Sequence, residues 1–199
     1  MAPDVKSSWR QEQAAATRRR IAEAAQQLFA SEGYAVTSID RIAQESGVAV
    51  RTVYSAFGSK REILSEICEA WLSRAQARER AEMVLAEPEP RRRLRRAVEW
   101  LADLYAAGFD VVQILESASD EGPETQVLLR AKLAGRDRVM NEFIRSLRPE
   151  LAVPLPEAQS MYRALATPGL YRELVIRTGW DRERFCSFVE DILGRSILR

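Results

Sequence analysis

The sequence predicts an all-α protein, and three observations support that prediction. Apolar residues recur at intervals of three and four along most of the chain, which is the period of an amphipathic helix. Pro, Asp, Ser or Thr begins most of these periodic segments, and glycine follows several of them. Apolar residues make up 46% and charged residues 30% of the 199 residues, which is the composition of a globular chain able to bury a core.

The N-terminal part is predicted to form three helices, over 13–32, 38–46 and 50–57, followed by one long helix. Glycines 33, 47 and 58 end the first three helices. Thr37 is the predicted N-cap of the second helix, with Asp40 as its capping-box partner. Ser59 and Glu62 form the same pattern at the start of the long helix, which runs to the break at 86–90 (AEPEP).

The remaining helices follow from proline, aspartate and glycine punctuation. They are predicted over 91–107, 109–117, 123–147, 156–166, 168–178 and 181–198. The predicted domains are residues 15–75, which contain a helix-turn-helix at 38–57, and residues 76–199. Their boundary lies within the long helix, so no flexible linker is expected.

Composition argues against several functional classes. The chain has no histidine, which removes the commonest general base and metal ligand, and Cys68 and Cys186 lack C-x-x-C spacing. We therefore expect no enzyme, no metal, no cofactor and two buried, reduced thiols.

Residues 1–20 lack an apolar signal-peptide region, and no apolar run reaches eighteen residues, so a cytoplasmic protein without membrane association is predicted. Residues 1–61 hold nine Lys or Arg against six Asp or Glu, a basic bias that suits a nucleic-acid module.

The stretch 37–60, TSIDRIAQESGVAVRTVYSAFGSK, has the pattern of a helix-turn-helix. In this motif the second helix enters the major groove, where its exposed side chains meet base edges. Val53 and Phe57 are predicted to point inward. The residues predicted to face DNA are Val50, Arg51, Thr52 and Ser55, with the Tyr54 hydroxyl near a phosphate. Arg51 can bind guanine through two hydrogen bonds, and a phosphate contact is its alternative role.

The order of motifs around this stretch resembles the DNA-binding domain of the TetR (tetracycline repressor) family. The resemblance covers residues 15–75 and rests on FASEGY at 29–34, TSI at 37–39, IA at 42–43, GV at 47–48, TVY at 52–54, and Phe57 with SK at 59–60. A weaker resemblance covers 165–180 and the last helix. The resemblance over residues 15–75 implies phosphate contacts by Tyr54 and Lys60, a place for Thr37 and Ser38 against the DNA backbone, and a recognition-helix role for Thr52. Ala49 and Ala56 depart from the family pattern, since many members carry a serine cap and a polar or aromatic residue there.

The resemblance also implies a homodimer on a palindromic duplex and a small-molecule effector. The final helix and the preceding segment 168–178 are the predicted dimer contact, with ordinary intrachain packing as the alternative. Aromatic and methionine side chains that could line an effector cavity, or form plain core, are Trp71, Trp100, Tyr105, Phe109, Met140 and Phe143.

The predicted function is a DNA-binding transcriptional repressor released from its operator by a small, mainly apolar effector. An activator or a ligand-independent regulator of the same fold is the alternative. An enzyme with a helical pocket and a non-specific architectural DNA-binding protein are rivals from other classes; a net charge of only +1 argues against the second. Two basic runs, at 18–20 and 91–96, are each either a phosphate contact or a solvated face.

Overall fold

A computed structural model describes residues 5–119 and 121–199, and its regular elements are helices. In chain order they are α1 (Val5–Ser31), α2 (Ile39–Ser46), α3 (Val50–Phe57), α4 (Lys60–Arg74), α5 (Ala77–Ala86), α6 (Pro90–Ala106), α7 (Phe109–Ser117), α8 (Pro123–Arg145), α9 (Leu155–Leu165), α10 (Pro168–Tyr171) and α11 (Arg182–Ile197). A 3₁₀ turn spans Arg148–Glu150, and α10 continues as a π-helix over Arg172–Arg177. The all-α prediction is confirmed.

Side-chain caps explain where several helices begin. The Asp181 carboxylate accepts the Arg184 backbone N–H at 2.7 Å at the start of α11. Glu89 accepts the N–H groups of Arg92 and Arg91 at the start of α6, and these bonds lower the pKa of its carboxyl. Such caps satisfy N–H groups that have no partner within the helix. The boundaries predicted from punctuation therefore agree with the structure to within two residues over most of the C-terminal half.

The predicted long helix after Ser59 is wrong in one respect, because it is broken between α4 and α5. Gln76 adopts a left-handed conformation with φ of 49°, which residues other than glycine rarely adopt. A tertiary contact accompanies the break: the Trp100 indole Nε1 donates to the Ala77 carbonyl at 2.7 Å. A buried indole N–H needs an acceptor, and the first residue of α5 supplies it.

The chain forms two compact units. The first contains the described residues up to Trp71 together with those of Asp110–Leu129, and the second contains Leu72–Phe109 and Arg130–Arg199. In the first unit the Gln26 amide donates to Asp110 at 2.5 Å, and Arg61 pairs with Glu124. The segment 110–129 therefore folds with the N-terminal helices, although the sequence assigned it to the C-terminal domain.

Both cysteines, Cys68 and Cys186, are buried, and no disulfide joins them, as the sequence predicts. Burial raises the pKa of the Cys186 thiol to about 11, so at neutral pH this group stays protonated and is a poor nucleophile. Within the described residues, no helix is both long enough and apolar enough to cross a membrane.

Candidate nucleic-acid interface

The segment between α1 and α2 differs from the prediction in its capping residue. Ser38, not Thr37, is the N-cap of α2, and its hydroxyl accepts the Arg41 backbone N–H at 3.1 Å. The Thr37 side chain is 1% exposed, and its hydroxyl donates to the Gly33 carbonyl at 2.7 Å. Thr37 thus stabilises the turn after α1, and only Ser38 of this pair has an exposed side chain.

The turn between α2 and α3 has the geometry of a helix-turn-helix. Gly47 ends α2 with φ of 65°, and its backbone N–H bonds to carbonyls of the last turn of α2. The Ser46 hydroxyl is buried and donates to the Ile42 carbonyl at 2.6 Å. Ala49 starts α3 without a side-chain cap, as its residue type predicts. An eight-residue helix is too short to be stable alone, so α3 depends on its tertiary contacts.

Helix α3 has one buried and one exposed face. Val53 and Phe57 are 1% and 7% exposed and pack inward. The predicted DNA-contacting residues on this helix all have accessible side chains: Arg51, Tyr54 and Ser55 are exposed, and Val50 and Thr52 are half-buried. The structure therefore brings the five predicted recognition residues together on the accessible face of one short helix.

Lys60, the predicted phosphate contact at the start of α4, has its ammonium group occupied within the protein. Its Nζ lies 2.7 Å from the carbonyl oxygen of Tyr34 and 3.2 Å from those of Ala35 and Thr37. The same nitrogen lies 4.3 Å from the centroid of the Tyr34 ring. Partial burial lowers the pKa of Lys60. An ammonium group has three N–H donors, so these carbonyls can use all of them, and Lys60 holds the loop between α1 and α2 in place.

Three arginines of the 91–96 run, Arg93, Arg95 and Arg96, have partners within the second unit. Arg95 pairs with Glu183, Glu190 and Glu99 at 2.6, 2.8 and 3.1 Å. The guanidinium of Arg93 donates to the Glu87 carbonyl before α6 and to the Ser146 carbonyl just after α8. These contacts favour the interpretation of this run as a protein face with acidic partners over that of a second nucleic-acid patch.

The predicted effector-binding residues are packed in the structure. Trp71 is a buried residue of the first unit, whereas the other five belong to the second. The Trp100 and Phe143 rings meet edge to face with centroids 5.2 Å apart, and Met140 is 0% exposed. Phe109 is half-buried and contacts Tyr105 and Tyr171, with centroids at 5.9 and 5.4 Å.

The polar ends of the buried tyrosines are hydrogen-bonded inside the same unit. The Tyr105 hydroxyl donates to the Ala166 carbonyl at 2.7 Å, and that of Tyr162 donates to the Ala97 carbonyl at 2.8 Å. Burial raises the pKa of Tyr162 well above its usual range. A surface recess of about 270 Å³ lies in the second unit, and none of the predicted effector residues lines it. The residues that line it are Arg91, Leu94, Ser187, Glu190, Asp191, Gly194, Arg195 and Leu198. Across the part of the chain that the structure describes, no cluster of side chains could hold a metal ion.

Comparison with known proteins agrees with this geometry. Residues 21–67, which span the end of α1 to the middle of α4, match the family model for bacterial regulatory proteins of the tetR family. No curated protein matches the chain. PfmR, a TetR family transcriptional regulator from Thermus thermophilus, has 26% identity and a TM-score of 0.66 over 90% of this chain and 100% of its own.

Two further solved structures share the fold. NalD, the secondary repressor of the MexAB-OprM multidrug efflux pump in Pseudomonas aeruginosa, has 22% identity and a TM-score of 0.73 over 94% of this chain and 98% of its own. FadR from Bacillus subtilis, in complex with stearoyl-CoA, has 16% identity and a TM-score of 0.70 over 88% and 96%. With the exposed face of α3, the family match and these likenesses lead to one conclusion: residues 21–67 form a helix-turn-helix domain of the bacterial tetR regulatory family, within an all-helical fold that the chain shares with solved TetR-type regulators.

Proposed function

We propose that this regulator is a repressor that binds a palindromic operator as a homodimer and is released by a small, mainly apolar effector. The observation that carries the proposal is the exposed face of α3, where Arg51 and Ser55 are accessible while Val53 and Phe57 are buried. A recognition helix requires this arrangement, since its buried residues fix the helix and its exposed ones meet the bases.

Each exposed residue has a role in this proposal. Arg51 reads guanine through two hydrogen bonds, Thr52 and Ser55 contact bases or phosphates, and Val50 makes an apolar contact at the start of the helix. The Tyr54 side chain is 53% exposed, and its hydroxyl contacts a phosphate. Ser38, at the start of α2, contacts the DNA backbone. Thr37 and Lys60 act indirectly, because their polar groups hold the loop before α2.

Replacement of Arg51 tests base recognition. We expect Arg51→Ala to weaken binding to a duplex selected by the wild-type protein by about 1–3 kcal/mol, and to relax preference at one position per half-site. Arg51→Lys is the matched control, since it keeps the charge but cannot reproduce the bidentate geometry. Selection from a random duplex pool, followed by titration at several salt concentrations, measures both effects. If Arg51→Lys restores full affinity and preference, Arg51 is a phosphate contact and the base-reading role is wrong.

The dimer is proposed to form through the π-helix and α11. Phe185, Val189 and Leu193 of the predicted stripe are fully buried within the chain, so they belong to its own core. Outside that core, Phe188 remains 37% exposed and Ile176 55% exposed. The proposed contact surface, called the α11 patch below, consists of Ile176, Trp180, Phe188 and Ile192. Trp180 packs edge to face on Phe188 with ring centroids 5.4 Å apart, while Arg184 lies 4.1 Å from the Trp180 ring centroid.

An exposed aromatic surface on a terminal helix supports a two-fold contact, in which each copy meets the same surface of the other. The two chains of such a dimer would place their two recognition helices in successive major grooves. The effector would act by binding more tightly to a conformation with the wrong spacing between these helices.

The apolar nature of the effector is inferred from the second unit and from FadR, whose structure contains stearoyl-CoA. The candidate lining is the proposed set Trp100, Tyr105, Phe109, Met140 and Phe143. These side chains already pack on one another, so an effector must separate them, and only a ligand with apolar surface would compensate for the lost contacts. Trp71 lies in the first unit and is left out of this set.

A thermal-shift screen tests the effector proposal. We expect at least one compound among fatty acids, acyl-CoA thioesters and aromatic compounds to stabilise the protein by about 2.7 kcal/mol at one hundred times its dissociation constant. The same compound is expected to release the selected duplex. Free coenzyme A, which has no acyl chain, is the control and is expected to change neither the stability of the protein nor its binding to the duplex. Stabilisation without DNA release would contradict the repressor mechanism, and a complete absence of stabilisation would favour the ligand-independent alternative.

A further inference from the structure

The side chain of Arg18 joins three helices of the DNA-binding unit. Arg18 lies on α1, and one terminal guanidinium nitrogen donates to the backbone carbonyl of Ala56 near the end of α3. The other terminal nitrogen pairs with the Glu66 carboxylate of α4 at 2.8 Å. The guanidinium carbon lies 4.2 Å from the centroid of the Phe57 ring, the buried aromatic residue of the recognition helix.

Each of these contacts has a physical reason. The Ala56 carbonyl belongs to the last turn of α3, where carbonyls lack intrahelical partners and the helix dipole favours a cation. A guanidinium is planar, so it can lie on an aromatic ring while its edge donates two hydrogen bonds in different directions. The start of α3 has no side-chain cap at Ala49, so contacts at its C-terminal end contribute more to holding this short helix.

We propose that Arg18 is a positioning residue for operator recognition, which fixes the orientation of α3 relative to α1 and α4. This role differs from that of a phosphate contact, which the basic run at 18–20 suggests from sequence. Arg18 is half-buried and has partners in α3 and α4, whereas its neighbours Arg19 and Arg20 are exposed. Correct base contacts need recognition side chains placed to within a fraction of an ångström, and a shift of α3 would therefore reduce specific binding.

The two roles predict different results for a conservative substitution. A lysine keeps the positive charge but cannot lie flat on Phe57 and bond Ala56 and Glu66 together. If Arg18 positions α3, we expect Arg18→Lys to weaken binding to the selected duplex about tenfold, with the slope of log affinity against log salt unchanged. If Arg18 contacts a phosphate, Arg18→Lys retains affinity, and Arg18→Ala lowers the magnitude of the slope by about 0.9 for each chain of the dimer, or about 1.8 in all.

Two further variants sharpen the comparison. Glu66→Gln removes a negative charge from the DNA-binding unit, so a purely electrostatic role predicts tighter binding, whereas the positioning role predicts binding weaker by about threefold. Arg19→Ala is the matched control, because it removes one exposed arginine from the same helix. Its effect on affinity and slope measures what a positive charge in the middle of α1 contributes by itself.

Amide hydrogen exchange of the free protein provides a readout independent of DNA. We expect Arg18→Lys and Glu66→Gln to speed exchange in residues 50–57 while the buried turns of α1 keep their protection. If the wild-type protein selects no duplex, the operator proposal fails, but the exchange experiment still decides the role of Arg18. Unchanged exchange in α3, or full operator affinity in Arg18→Lys, would overturn the inference.

Discussion

Phe188→Asp is expected to convert the proposed dimer into a monomer that has lost most of its operator affinity. Phe188 is 37% exposed in the single chain and lies against Trp180 in the α11 patch. A carboxylate at the centre of an apolar two-fold contact would meet its own copy, and an unpaired charge would lose its hydration. Since one short recognition helix binds DNA weakly, the loss of the second half-site should reduce affinity by about a hundredfold or more.

Phe188→Leu is the matched control for this experiment, because it keeps an apolar side chain at the same position. It should remain a dimer and keep most of its affinity. Light scattering at micromolar concentration measures the mass of both variants, and circular dichroism checks that they remain helical. A Phe188→Asp protein that is still a stable dimer would locate the interface elsewhere, and a monomeric wild-type protein would contradict the mechanism with two half-sites.

Phe143→Ala is expected to lower the free energy of unfolding by about 3–5 kcal/mol. The Phe143 ring is 1% exposed and meets the Trp100 ring edge to face at 5.2 Å, so its removal deletes apolar contacts and leaves a cavity. Urea unfolding followed by circular dichroism measures the change. Met83→Ala is the control, because Met83 is 59% exposed and its truncation should change stability by less than about 0.5 kcal/mol.

This prediction also bears on the proposed effector site. A loss below about 1 kcal/mol for Phe143→Ala would mean that the surrounding side chains close the space at little cost. The side chains of such a deformable core would move apart to admit an effector more easily than those of a rigidly packed core. A full loss of about 3–5 kcal/mol would mean that an effector must compensate for tight native packing.

The sequence alone was sufficient for most of the helices and for the recognition motif. Pro, Asp and Gly at helix ends act through contacts within a few residues, so they could be recognised without a structure. The same holds for Val53 and Phe57, whose spacing of four places them on one face of α3. The exposed set on α3 follows from that assignment, because positions opposite the buried face must face outward.

Polar groups with partners distant in sequence could not be assigned in this way. The sequence predicts Thr37 as the cap of α2, and only the turn after α1 decides that the Thr37 hydroxyl bonds Gly33 while Ser38 caps α2. Lys60 has the sequence position of a phosphate contact, but its acceptors are carbonyls at 34, 35 and 37. In the sequence, Arg18 cannot be distinguished from its exposed neighbours Arg19 and Arg20. Only the structure shows that Arg18 has partners in α3 and α4.

The sequence by itself thus determined the helical class, the helix-turn-helix and the residues exposed on its second helix, because these depend on local periodicity and capping. The tertiary structure alone decided the break at Gln76, the inclusion of 110–129 in the first unit, and the division of the final helix into buried and exposed apolar residues. The physical reason is that an amphipathic pattern states that a face is buried without stating against what. Phe185 and Phe188 have the same hydrophobic character, and only the packing of α11 buries one fully and leaves the other 37% exposed.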